Sequence, residues 1–377
     1  MIAPRMKKYA IFFPQFHPVE VNNQAWGQGF TDWSLVAAAN AFDLWPRRAP
    51  RAGFYDLSNP QHIQDRFSEA ARSGLDGFGI YHYRFTDGPE LDSVERYLAR
   101  AQLPDNFGFF FIWANESWSR RWAGKDTEIL KTVSQNPARE EIRAHVAYLA
   151  PYLSSGAYTK IMGRPVFVIY RPEFFLDPQA TLLLYRQEFT RAGLEPLIGF
   201  CLTSPADVGY SRFFDFCYLF EPRLFFSFQG LRGNPVLSRL FKKLVSSLSY
   251  EKVELLAKTA GQLLHRGAKS QSYASFFNYF GSGGRSKLID QLSCPVQNIV
   301  SSGWNNAPRY RQNFTALDAP TIDQFYSLLV HSLNDPVYSK EIPLLCNAWN
   351  EWSEGAAIEP CFYLGDSLLR AYLDSNT

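Results

Sequence analysis

Eight short, nearly unbroken apolar runs punctuate the chain, with helical patterns between most of them. A strand that is apolar at consecutive positions is covered on both faces, so such runs belong to buried parallel sheets rather than to half-exposed antiparallel ones. The runs are Tyr9 to Gln15 (YAIFFPQ), Gly77 to Tyr83 (GFGIYHY), Gly108 to Ala114 (GFFFIWA), Pro165 to Tyr170 (PVFVIY), Leu197 to Leu202 (LIGFCL), Phe214 to Phe220 (FDFCYLF), Val296 to Ser301 (VQNIVS) and Pro343 to Trp349 (PLLCNAW). The clearest helix opens at Asn59-Pro60, a cap followed by a first-turn proline. It carries Ile63, Phe67, Ala70 and Ala71 on one face and stops at Gly74. Three more stripes follow: Leu91, Val94, Leu98 and Ala101; Ile142, Val146, Leu149 and Leu153; and Ile322, Phe325 and Leu329.

This alternation over 377 residues predicts a (β/α)8 barrel of the TIM type, with its active site at the C-terminal ends of the strands. An open doubly wound sheet would need a glycine-rich phosphate turn after an early strand, and FHPVEVNN has no glycine. Residues 1–377 read as one decorated barrel. The decoration is a basic helical insertion at 223–290, between strands six and seven. Arg223 to Lys287 carries 11 Lys and Arg against only Glu251 and Glu254, while the whole chain is at +2. That global balance gives no field for nucleic acid. Within the insertion, Val236, Leu237, Leu240, Phe241, Leu244, Val245 and Leu248 form an apolar stripe beside Arg239, Lys242 and Lys243. Residues 236–248 thus have the pattern of a helix on an anionic membrane surface, or of one packed on the barrel.

The barrel reading says where chemistry should sit, and polar and aromatic groups do cluster past the strand ends. The candidate substrate-binding residues are Gln15, His17 and Trp33 after strand one; His82 and Tyr83 on strand two; Trp113, Asn115, Glu116 and Trp118 at strand three; Tyr170 after strand four; Trp304 after strand seven; and Asn350 and Trp352 after strand eight. All 9 Trp fall after strands one, three, seven and eight. Aromatic rings beside Asn, Glu and His suit carbohydrate, which offers C–H faces for stacking and hydroxyls for hydrogen bonds. Glu116 reads either as a hydroxyl-binding group or as an ion-pair partner of Arg120 or Arg121. His82, between two tyrosines, reads as a substrate hydrogen-bond partner.

Glu351 and Glu354 are the candidate catalytic pair. Two carboxyls three residues apart in a turn can converge on one bond, and glycosidic chemistry needs one ionised and one protonated carboxyl. Nearby indoles would lower the local polarity and raise one carboxyl's pKa. The 6 His are isolated, with no HxH or HExxH, so neither a metal nor another cofactor is expected. Five scattered Cys without a CxxC fit a reducing compartment. The apolar stretch Tyr9 to Phe13 is too short for a signal-peptide core, which places the expectation in the cytoplasm, at the inner membrane face if the insertion docks there.

FFPQFHP with GFTDW, GFGIYHYRF, WANESWSRRW, GRPVFVIYRP, GWNNAPR and NAWNEWSEGAAIEP together resemble the WbsX-like proteins, a bacterial family named as glycosyltransferases of surface-polysaccharide assembly. The chain is also similar to glycoside hydrolase family 99, the retaining endo-α-mannosidases. The likeness runs from Tyr9 to about Tyr363 and implies a (β/α)8 barrel. It also implies Glu351 as the base that deprotonates the sugar's own 2-hydroxyl, giving a 1,2-anhydro intermediate, and Glu354 as the acid at the leaving oxygen. Ser353 stands where the hydrolases commonly have His, and WANESW replaces their shorter aromatic motif, so mannose specificity is not implied. Three readings follow, in this order: a polysaccharide glycosyltransferase acting on a sugar donor and acceptor, a family-99-like hydrolase, and a noncatalytic glycan-binding module. No DxD occurs to anchor a metal and nucleotide sugar.

Overall fold

The computed structural model describes residues 5–41, 49–120, 125–232, 269–310 and 314–375. Eight strands close into a barrel: β1 (Lys8–Phe12), β2 (Gly77–Phe85), β3 (Gly108–Trp113), β4 (Arg164–Ile169), β5 (Leu197–Leu202), β6 (Phe216–Phe220), β7 (Val296–Ser301) and β8 (Leu344–Asn347). Each pairs in parallel with its sequence neighbours, and β1 pairs with both β2 and β8 to close the ring. Every expected strand is present. β1 stops at Phe12 because the Phe13 N–H is taken by Asn350 Oδ1 at 2.7 Å and Pro14 has no N–H to give.

The helix expected after Asn59 spans Pro60–Ser73; Asn59 caps Gln61 N, and Gly74, at φ 98°, ends the helix with its N–H on the Ala70 and Ala71 carbonyls. Helix Arg139–Leu153 buries its expected stripe, and helix Ile322–Asn334 buries Phe325 and Leu329 while Ile322 is half-buried. The stripe from Leu91 to Ala101 is only partly helical, over Ser93–Leu98.

Aromatic side chains fill the barrel as well as its rim. Tyr9 of β1 and Phe110 of β3 lie 5.9 Å apart, and Phe110 stacks on Tyr218 of β6 at 6.4 Å. Rings from strands that are not neighbours can meet this way only across the interior. Many of the chain's aromatic rings are therefore core.

Of the insertion, residues 233–268, including the stripe at 236–248, lie outside the described residues. On either side, helix Arg223–Arg232 follows β6, and helices Tyr273–Phe280 and Gly283–Ile289 return the chain to β7. Buried Arg285 anchors that return. It donates to Asn298 Oδ1 at 2.7 Å and to the Tyr338 hydroxyl, and it sits 3.6 Å from the Glu221 carboxylate. Strand Lys269–Gln271 pairs with Thr315–Leu317, which pairs with Trp304–Asn305, tying the insertion to the loop after β7.

Candidate active site

A cavity of about 370 Å³ opens at the C-terminal ends of the strands. Of the expected residues, Gln15, Tyr83, Glu116, Trp118, Tyr170, Trp304, Glu351 and Glu354 line it. The carboxyl pair is delivered by the turn after β8. Asn350 clamps that turn to β1, accepting from Phe13 N and donating to Phe13 O at 2.9 Å. The backbone then makes a single 3-10 turn, Trp352–Glu354, and reverses at Gly355, whose φ of 62° favours glycine. Behind the turn, buried Glu359 accepts from Trp352 Nε1 at 2.8 Å, Tyr55 Oη at 3.0 Å and Arg66 at 3.0 Å.

Between the two glutamates lies an arginine that sequence reasoning passed over. Arg309, in the turn after β7, donates through one terminal nitrogen to Glu354 Oε1 and through the other to Glu351 Oε1 at 2.6 Å; that second nitrogen also lies 3.2 Å from Asp32 Oδ1. The Glu351 side chain is 4% exposed and that of Glu354 15%. Burial pushes the Glu351 carboxyl up to about 8, Arg309 opposes the rise, and the Glu354 and Asp32 charges add to it. Glu354 is likewise raised by burial against the pull of Arg309. Three carboxyls around one guanidinium in a low-polarity pit cannot all ionise cheaply, so the pair keeps a proton near neutral pH. Burial and Glu351 also raise the Tyr83 hydroxyl, leaving it a neutral hydrogen-bonding wall. The raised carboxyls follow the direction expected from sequence, and the Tyr81 and Tyr83 hydroxyls also face Glu351.

Seven expected binding residues stand behind the cavity wall. His17 is buried, its Nδ1 3.1 Å from Pro14 O and 3.2 Å from Ser93 Oγ. Trp33 donates to Tyr55 O at 2.7 Å and is stacked between Phe16 and Phe54. Trp113 donates to Arg84 O at 3.2 Å. Asn115 exchanges hydrogen bonds with the Arg171 backbone, tying the ends of β3 and β4 together. Asn350 and Trp352 are spent on the turn itself. Past a barrel strand's end, alternate side chains face the helices, and these seven take that side or fix a loop. Glu116 meets Arg171 at 2.9 Å, whereas Arg120 pairs with Glu128 and Arg121 lies outside the described residues.

His82 is the clearest correction. Its neighbours Tyr81 and Tyr83 face the cavity, so it faces outward. There it forms a closed chain: its Nδ1 lies 2.8 Å from Glu95, its Nε2 is 2.9 Å from His145 Nε2, and His145 Nδ1 is 2.8 Å from Tyr185 Oη. One consistent proton arrangement has both imidazoles neutral, each donating one way and accepting the other. Burial and the neighbouring His82 hold His145 well below the usual histidine range. A histidine kept neutral in the fold binds its proton more readily when unfolded, so stability falls as pH drops below about 6.5. His145→Phe should flatten that acid-side loss in urea titrations between about pH 7 and 5; an unchanged slope would remove this chain as its source.

Missed residues on the cavity wall include Trp26, Tyr81, Arg223, Asn306 and Arg309. Arg309 and Asn306 lie within GWNNAPR and Asp32 within GFTDW, so the signal is a polar or charged residue inside each motif. Among the described residues, no cluster of three His, Cys, Asp or Glu could hold a metal ion, and no helix is long and apolar enough to cross a membrane.

A closed parallel barrel with a carboxyl pair beneath an aromatic-walled pit at its C-terminal face has the architecture of the (β/α)8 glycosidic-bond enzymes. The chain belongs to the family described as glycosyltransferase WbsX, which it matches over residues 8–372. It is 28% identical over 376 residues to the uncharacterized protein WxcX of Xanthomonas campestris pv. campestris, covering 96% of this chain and 48% of that protein. WxcX of strain B100 of that pathovar is also 28% identical, over 375 residues, with the same coverage. The chain thus spans about half the length of these curated relatives. Among solved structures, a glycoside hydrolase-like protein superposes with a TM-score of 0.58 at 15% identity, over 100% of this chain and 95% of that one. The GH99 endo-alpha-mannosidase from Bacteroides thetaiotaomicron gives 0.54 at 12% identity, over 98% and 97%. At such identities the likeness is one of fold.

Proposed function

We propose that this chain transfers a glycosyl group in the assembly of a bacterial surface polysaccharide, with Glu354 as acid and Glu351 as base. One observation carries the reading: two glutamates of a single turn share one guanidinium at the floor of an aromatic-walled cavity. Trp26, Trp118, Trp304 and Tyr83 offer ring faces to a sugar, and Gln15 offers an amide to its hydroxyls. In the first step Glu354 gives its proton to the leaving oxygen, while Glu351 takes the proton of the sugar's 2-hydroxyl as that oxygen closes on the anomeric carbon. In the second an acceptor hydroxyl opens the three-membered ring. Its proton passes to Glu354, Glu351 returns the first proton to the 2-oxygen, and the anomeric configuration is retained.

Hydrolysis is the same sequence with water as acceptor. One observation favours it: Arg309 is engaged by acids as above and Arg223 donates to the Tyr170 hydroxyl at 2.7 Å, which leaves both poorly placed for a donor's phosphates. The deciding assay incubates purified protein with lipid-linked oligosaccharide, with and without nucleotide sugars. Transfer predicts product lengthened only when donor is added; sugar released without donor would overturn transfer in favour of hydrolysis. Residues 236–248 are proposed to rest on anionic membrane near such a lipid-linked substrate. No flotation with anionic vesicles at low salt would rule that out.

A further inference from the structure

Asp32 opens helix Asp32–Ala41 in the connection from β1 to β2, far in sequence from Arg309 and from the glutamates. Its side chain is fully buried. Oδ1 faces Arg309, and Oδ2 is buried without a hydrogen-bond partner. A buried carboxylate oxygen left unpaired is costly, so the carboxylate is held there for its charge and its grip on the arginine. Arg309 in turn grips Oε1 of each glutamate, one through each terminal nitrogen. Its guanidinium also packs over the Phe13 ring at 5.2 Å, which limits its freedom to swing.

We propose that Asp32 and Arg309 form a charge clamp that holds the two glutamates in register and biases their ionisation, Arg309 toward the charged form and Asp32 against it. Both act as positioning residues. The inference rests on the reading of Glu351 and Glu354 as the working pair. The charged and titratable groups facing Glu351 are Arg309, Asp32 and Glu354, with the Tyr81 and Tyr83 hydroxyls beside it; Glu354 is faced by Arg309, Asp32, Arg223, Glu351 and the Tyr83 hydroxyl. Arg309 favours the ionised glutamates and Asp32 disfavours them. The two residues should therefore move the proton in opposite directions when neutralised, which a merely structural role would not do.

The test needs no substrate. The protonated-carboxyl stretch is followed by infrared difference titration, and the bands of the pair are those lost in Glu351→Gln and Glu354→Gln. In Arg309→Met the midpoint should rise by about 1 pH unit or more; in Asp32→Asn it should fall, by less; in Arg309→Lys, which keeps the charge and guards against misfolding of the Met variant, it should stay within about half a unit of wild type. Midpoints that stay put in both neutral variants, or that move the same way, would overturn the clamp. Failure of the catalytic reading shows separately, as turnover that survives both Glu→Gln changes.

Discussion

Glu354→Gln is expected to cut turnover by about 10³-fold or more while leaving the melting temperature unchanged or higher. The amide keeps the shape of the side chain but cannot give a proton to a leaving oxygen. Folding loses little, because the substitution relieves a crowded site in which three carboxyls surround Arg309. Glu351→Gln should be as damaging to turnover, and the pair should be far from additive because the two act as one unit. A substrate with a good leaving group, such as a glycosyl fluoride, separates their roles. It should restore much of the activity of the acid variant, Glu354→Gln, and little of Glu351→Gln. The opposite pattern would exchange the assignments, with Glu351, which burial pushes up to about 8, as the acid. Activity retained by both variants would sink the site itself.

Gly77→Ala should be the most damaging small substitution at the foot of the barrel, costing about 3 kcal/mol. Gly77 begins β2 opposite Gly108 of β3 and Tyr9 of β1. A Cβ there would lie 2.1 Å from the Gly108 carbonyl oxygen and 2.6 Å from the Tyr9 ring. At Gly108 it would lie 2.4 Å from the Tyr9 hydroxyl. The tyrosine thus lies across two positions without a Cβ, pinned by its 2.9 Å hydrogen bond to Thr159. A rotamer change cannot relieve a clash with backbone oxygen, so strand pairing must give way. Urea midpoints against Gly156→Ala, where a Cβ meets nothing within 4 Å, isolate the effect. Equal midpoints for the two variants would refute this account of the two glycines.

The strands were legible because burial on both faces leaves a one-dimensional trace: consecutive apolar residues need no knowledge of partners. The capped helix at Asn59 was legible for a similar reason, since cap, stripe and terminating glycine are local. Strand ends also located the glutamates, because a barrel puts its chemistry there whatever its sequence. The side chains that line the pit were a different matter. His82 and Tyr83 are adjacent and both polar, yet one bonds to Glu95 and the other faces the cavity. Which way each points depends on strand tilt and on which helix offers a partner.

The chain by itself thus determined the barrel, the turn bearing Glu351 and Glu354, and the aromatic character of the site. Only the tertiary structure decided that many of those rings are core and that His82 and Trp33 serve as scaffold. It alone placed Arg309 between the acids with Asp32 behind it. Hydrophobic periodicity is written along one segment, whereas a charge cluster is assembled from three segments remote in sequence. Its energy depends on distances of a few ångströms that no single segment contains.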